Sequence, residues 1–344
     1  MVGRLHPPWV QVTKAFRPIL YFLSLPSEKQ KYKLIKSDLR MLEEKSIGYR
    51  FGVLLLLIIA GTFVGYIIGL ASIPLVFNIP FSSLIELLNI NSGSNITPVI
   101  LKYLQLVLVC FMFIIPANIY SRLFSSHSIN YFEFNKTSQH HYFFAFIMLV
   151  TSIPLVTLLG GLNQQITFPS ALVSIEKSFR LAELSAESST RLFLKVNDLV
   201  GLFTNLLVIA LLAAFAEELI FRGIVQKLLM ERIKNVHLAI WIGAFIFSAF
   251  HLQFFSMLPR ICLGAALGYS YYWSRSIWVP MFLHFMNNAF IVLSAYFYEK
   301  NIIAYNPNNI TVFSNSVLII AFISSIAIVF FWVKQNNKSW NRVG

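Results

Sequence analysis

An all-α, polytopic membrane bundle of about eight transmembrane helices is the fold class that the sequence predicts, and three observations predict it. Of 344 residues, 57% are hydrophobic and 12% charged, with a mean hydropathy of +0.69. About a quarter of a soluble domain's residues are charged, so this supply cannot cover a water-facing surface. Apolar runs recur at the length of about 20 residues that a helix needs to cross the hydrocarbon core. The net charge of +13 lies mostly at the chain ends and in the connections between runs. In a soluble chain such an excess would point to nucleic acid. Here it is the positive-inside pattern, and no nucleic-acid motif accompanies it.

Taken in order, residues 1–50 hold ten Lys/Arg against four Asp/Glu. Their one apolar piece, 19–25, stops at Pro26, too short to span, and no cleavable signal pattern precedes the first span. We expect a basic cytoplasmic segment with a surface-lying piece at 19–25. The first span, 51–77, carries Gly61, Gly65 and Gly69 on one face, a spacing that lets a neighbouring helix come close. Further spans are expected at 99–120, 142–162, 200–229, 237–254, 258–273, 277–298 and 317–333, eight with the first.

The 78–98 connection holds the single charge Glu86, whereas the connection at 121–141 carries Arg122 and Lys136, and Lys227, Arg232 and Lys234 follow the fourth run. With an even count, this asymmetry puts both termini on the cytoplasmic side of an integral membrane protein. The long connection 163–198 mixes charge with apolar residues at helical spacing, readable either as an amphipathic surface helix or as a flexible loop. Residues 51–335 are expected to form one helical domain, followed by a short cytoplasmic tail, 336–344. Cys110 and Cys262 lie alone in apolar runs and make neither a disulfide framework nor a zinc site.

The fourth run holds the anomaly on which the functional reading rests. Glu217, Glu218 and Arg222 sit inside it, where each charge costs roughly 2.5–3.5 kcal/mol on insertion scales. Helix geometry separates the two acids: Glu218 is four residues from Arg222 and shares its face, so the pair neutralise each other. Glu217 points about 100° away and is the carboxylate left for chemistry. Of seven histidines, His251 and His284 are the two within apolar spans. Phe247 shares a face with His251, and Asn288 shares one with His284. Two histidines, an uncommitted glutamate and an amide can activate water and stabilise the oxyanion that forms on a carbonyl.

The ordered set Glu217-Glu218-x-x-x-Arg222, Phe247-x-x-x-His251 and His284-x-x-x-Asn288, on successive spans, resembles the CPBP family, the CAAX prenyl protease and bacteriocin-processing group of intramembrane endopeptidases also called Abi. The likeness covers about 200–290; the remainder is matched by hydropathy alone. It implies an eight-helix protease in which Glu217 and His251 activate water and His284 and Asn288 polarise the scissile carbonyl. Arg222 would hold Glu218, with Phe247 in support. The expected partners are the bilayer and a lipidated or membrane-tethered protein or peptide.

Two alternatives stay open. The same fold also suits a non-proteolytic membrane scaffold or bacteriocin-immunity-type protein, against which the complete motif set argues. His251, His284 and Glu217 are also a familiar zinc set. The lack of His-Glu-x-x-His and the oddity of Asn288 as a zinc ligand weigh toward glutamate-activated water without a cofactor.

Overall fold

The computed structural model describes residues 44–82, 98–125, 130–196, 198–303 and 313–340. The surface-lying piece at 19–25 and Glu86 fall outside the described residues, as do 341–344 of the tail. Among the described residues there is no strand. Nine long helices among the described residues carry the architecture: α1 Ile47–Phe77, α2 Val99–Leu123, α3 Gln139–Gln164, α4 Val173–Leu194, α5 Leu199–Ile233, α6 Val236–Phe250, α7 Met257–Ser274, α8 Trp278–Glu299 and α9 Asn315–Trp340.

Six of these, α1, α2, α3, α5, α8 and α9, are long and apolar enough to cross a membrane. The other two expected spans are present as helices of different character. α6 is apolar but has 15 residues, and α7 has 18 with a more polar make-up. α6 ends at Phe250 instead of 254, because the chain turns at His251 and Leu252, the latter at a left-handed φ of 55°. Most of the connection 163–198 is the amphipathic helix α4, Val173–Leu194, rather than a loop. None of its residues is buried.

Lipid-facing surfaces are apolar, as a bilayer requires. On α1, Leu56 and Phe63 are 65% and 68% exposed, while the face bearing Leu54, Ile58 and Ile73 is buried. The three glycines lie on that inner face against α2. A Cβ at Gly61 would fall inside contact distance of the Phe111 carbonyl oxygen, and one at Gly65 would lie 2.8 Å from Phe111 Cβ. Phe111 sits in a π-helical turn, Cys110–Ile114, which brings its backbone toward α1. A backbone oxygen cannot swing aside, so Gly61→Ala should cost at least the roughly 1–3 kcal/mol typical of overpacking. Thermal unfolding of the purified variant measures this, and an unchanged midpoint would contradict it.

One end of the bundle is sewn together by charge. Arg50 of α1 pairs with Glu231 of α5, and Lys227 Nζ lies 3.1 Å from Glu133 Oε1. Tyr271 Oη donates to the other Glu133 oxygen at 3.0 Å, and Ser276 Oγ donates to the Asn135 carbonyl at 2.6 Å. The start of α1, the end of α5, the 130–138 connection and the turn between α7 and α8 therefore meet at this end.

At the other end α4 rests on the turn between α6 and α7. Glu183 accepts hydrogen bonds from the Phe255 amide, at 3.2 Å, and from the Ser256 hydroxyl, while the Arg180 guanidinium covers the Phe255 ring at 4.0 Å. The first turn of α4 is tied back through Glu176, which accepts from the Phe168 amide at 2.8 Å and from Arg180 Nε at 2.8 Å. The Phe168 N–H and then the Arg180 guanidinium hold the Glu176 carboxyl below the ordinary carboxylate range. A pKa depressed on folding contributes stability at neutral pH that is lost as pH falls through the folded value. Hydrogen exchange at Phe168 and along the first turn of α4 should therefore quicken only below the ordinary carboxylate range, and Glu176→Gln should remove that dependence. Protection lost already near neutrality would contradict it.

Candidate active site

α5 is about 50 Å long at 1.5 Å per residue, more than the hydrocarbon core requires. Its register is broken twice by π-helical turns, Leu206–Leu212 and Phe221–Gln226, on either side of the eight-residue α-helical piece that carries Glu217 and Glu218. Such turns add a residue per loop and rotate the faces of the helix beyond them. They leave the Glu218–Arg222 spacing intact and redirect everything further along.

Arg222 Nη1 donates to Glu218 Oε1 at 2.8 Å, with both side chains essentially excluded from solvent. Its Nη2 donates at 2.8 Å to the Gly264 carbonyl of α7, and the guanidinium plane lies over the Phe247 ring at 4.9 Å. One turn on, Gln226 Nε2 donates at 3.0 Å to the Gly268 carbonyl. α5 thus grips α7 at two glycines four residues apart. A Cβ on Gly264 would come within 3.0 Å of Ala244 Cα, and one on Gly268 within 2.8 Å of Ile240 Cγ2, so the same glycines also let α6 approach.

Glu218 does more than neutralise Arg222. Its Oε1 also accepts from His284 Nδ1 at 2.8 Å, which makes a buried Arg222–Glu218–His284 chain. With Nδ1 committed, the His284 ring aims Nε2 at Glu217, whose Oε2 is 3.9 Å away. That distance is too long for a hydrogen bond. Glu217 Oε2 is buried and has no hydrogen-bond partner. A buried acceptor left without a partner is uncommon in folded proteins.

His251 caps α6. Its Nδ1 lies 2.9 Å from the Phe247 carbonyl, and a carbonyl can only accept, so Nδ1 carries the proton and Nε2 presents a lone pair. Phe247 stands edge-on to both imidazoles, with ring centroids 5.1 Å from His251 and 5.8 Å from His284. Asn288 lies one turn beyond His284 on α8. Its Nδ2 makes a long 3.5 Å contact to the Ile209 carbonyl, and its Oδ1 accepts from Asn287 at 3.2 Å. The structure therefore brings Glu217, Glu218, Arg222, Phe247 and His284 into one contiguous cluster. His251 joins it across the Phe247 ring, and Asn288 adjoins it along α8.

Several contributors escaped the sequence reading. Asn163, fully buried at the end of α3, donates to the Phe254 carbonyl at 3.0 Å and accepts from the Leu258 amide at 2.7 Å, pinning both sides of the turn that follows His251. Arg260, on the first turns of α7, acts electrostatically on Glu217 and on His251. No local pattern marks either residue. Gly264 and Gly268 did leave a signal, the same small-residue spacing that was noticed in α1.

A zinc ion would need three side chains, here His251, His284 and Glu217, gathered about one point. Among the described residues no three His, Cys, Asp or Glu side chains are grouped as a metal site. His284 gives Nδ1 to Glu218, and His251 gives Nδ1 to its own helix. Both keep Nε2 open, as a zinc-binding histidine does when its other nitrogen is held by a carboxylate or a carbonyl; with Glu217 they are the side chains that would have to gather around an ion, and no step below passes through a metal.

Comparison with known proteins bears on the same segment. Residues 199–290 match the family model described as type II CAAX prenyl endopeptidase Rce1-like. The chain is 32% identical over 89 residues to "Uncharacterized protein YpbD" of Bacillus subtilis (strain 168), covering 25% of this chain and 42% of that protein. It is 32% identical over 88 residues to "Putative membrane peptidase YdiL" of the same organism, covering 26% and 36%. The match thus spans less than half the length of either relative. No solved structure matches. The segment bearing the Glu-Glu, Phe-His and His-Asn motifs, residues 199–290, is thus similar to the type II CAAX prenyl endopeptidase Rce1-like family, in line with the CPBP resemblance of those motifs.

Proposed function

We propose that this protein is an intramembrane endopeptidase that hydrolyses a peptide bond near the C terminus of a lipid-anchored protein by glutamate-activated water. The observation that carries the reading is Glu217 Oε2, a buried carboxylate oxygen without a partner, facing a histidine whose other nitrogen is locked by an ion pair. Glu217 takes a proton from water as the water oxygen attacks the carbonyl carbon, with His251 Nε2 as the second acceptor in reach of the cluster. Asn288 Nδ2 donates to the developing oxyanion. With Nδ1–H given to Glu218, His284 donates from Nε2 only as the imidazolium, so its share of that task requires a doubly protonated ring. The C–N bond then breaks, and the proton held by Glu217 passes to the leaving amine.

Support for this substrate class comes from the family description, type II CAAX prenyl endopeptidase. In a C-a-a-X sequence the cysteine carries the prenyl chain and three residues follow it to the chain end. A prenyl anchor puts that bond at the membrane surface, within reach of a cavity among helices. In this reading both termini are cytoplasmic, as the positive-inside pattern suggests, on the side where the basic ends of α1 and α5 meet.

The test is a comparison of membrane-protein C termini in cells carrying the parent protein or Glu217→Gln. Peptides that end intact in the variant and are shortened in the parent are the expected result. Identical sets of termini would overturn the peptidase reading.

A further inference from the structure

Next to the cluster lies a cavity of about 340 Å³, bounded by α3, α7 and α8. Its walls are mostly aliphatic and aromatic, and Arg260 is the one charged residue among them. The hydroxyls that face it are already committed: Ser152 Oγ donates to Leu149, Thr157 Oγ1 to Ile153 and Ser256 Oγ to Glu183. Asn287, on the α8 wall, gives its amide to Asn288. Arg260 itself donates Nη2 to Gln253, but its Nη1 is buried and has no partner. A buried guanidinium nitrogen that lacks an acceptor is costly, and a rotation of the Arg260 side chain toward the cavity that this residue lines would let an anion there relieve the cost.

Glu183 and Glu217 both act on Arg260 electrostatically, yet neither makes an ion pair with it within 4.0 Å. Glu183 instead spends its oxygens on Phe255 and Ser256. The charge is balanced at a distance while the hydrogen-bonding capacity of Nη1 stays open. The cavity also adjoins the reacting groups. Asn287, another residue of its wall, donates to Asn288, and the charge of Arg260 acts on Glu217 and His251.

We propose that Arg260 binds the C-terminal carboxylate of the peptide being cut, with the residues after the scissile bond occupying the cavity between α3, α7 and α8. This rests on the peptidase reading. A free chain end drawn into the membrane carries a carboxylate whose burial is unfavourable unless a cation meets it. Three residues span at most about 10 Å, so a chain end held at Arg260 fixes which peptide bond lies over Glu217. The aliphatic walls accept apolar side chains in the two positions before the end.

The test measures binding and cleavage separately. The probes are two S-farnesyl peptides of identical sequence, one ending in the free carboxylate and one in the carboxamide. Binding is measured to purified Glu217→Gln protein in phosphatidylcholine vesicles, so that hydrolysis does not intervene. The acid should bind more tightly than the amide by roughly 10-fold or more, the scale of a charge-assisted hydrogen bond. Arg260→Gln in the same background should bring the ratio near one, and Arg260→Lys should keep part of it by retaining the charge.

Equal affinities for acid and amide with Arg260 in place would overturn the proposal. So would loss of both affinities together in Arg260→Gln and Arg260→Lys, which would make the residue structural. Displacement of the acid peptide by added phosphatidic acid, with no effect on the amide peptide, would assign Arg260 to a lipid phosphate and would also overturn it. Discrimination between acid and amide without any cleavage by the Glu217 form would support the anion site and sink the peptidase reading instead.

Discussion

Arg222→Ala is expected to leave little folded protein. The substitution removes the cation from a buried chain in which Glu218 Oε1 accepts from both Arg222 and His284 at 2.8 Å. It also removes the clasp on the Gly264 carbonyl and the cation lying over Phe247. Taking one partner from a buried ion pair costs roughly 3–5 kcal/mol, because the other charge is left without compensation. Stabilities of 5–15 kcal/mol are usual for folded domains, so a loss of this size removes a large fraction. Arg222→Lys should do better than alanine and worse than arginine, since an ammonium cannot fork between Glu218 and Gly264 while stacking on a ring. The yield of monodisperse protein and its thermal midpoint check this. A parental midpoint for Arg222→Ala would contradict the structural role assigned to the pair.

Glu217→Gln is expected to do the opposite, leaving a well-folded protein with hydrolysis reduced by about 10²–10⁴-fold, the usual contribution of a general base. Glu217 makes no hydrogen bond through Oε2, and its distance from His284 leaves little structure to lose. Glutamine keeps the size and the polarity and removes the basicity. Neighbouring carboxylates on one helix thus differ in kind of effect, Glu218 in the amount of folded protein and Glu217 in turnover. A Glu217→Gln protein that failed to fold would contradict this division.

The contrast between those two acids was legible in the sequence because it depends on four-residue spacing, which survives inside one helical turn. Six of the eight expected spans were legible from apolar length, α6 and α7 being helices that this measure does not mark as spans, and so was the close approach at Gly61 and Gly65. What escaped depends on contacts between distant parts of the chain. The link from Glu218 to His284 joins residues 66 apart, and Asn163 reaches Phe254 across 91. The π-helical turns on either side of Ala213–Ile220 also defeat a helical wheel drawn at 100° per residue, since each shifts the register of the residues beyond it. α7, expected as a span at 258–273, departs from one for a different reason. It is a helix whose polar atoms grip α5 and whose small residues admit α6, so burial against neighbours, more than contact with lipid, sets its composition.

The most direct test of the central claim is peptide cleavage by purified protein in vesicles after treatment with a strong chelator and desalting. If Glu217 and His251 activate water without a metal, the parent should retain its rate on an S-farnesyl peptide and the Glu217→Gln protein should show almost none. Loss of the parent's activity on chelation, restored by one equivalent of zinc, would contradict the account and make His251 and His284 ligands.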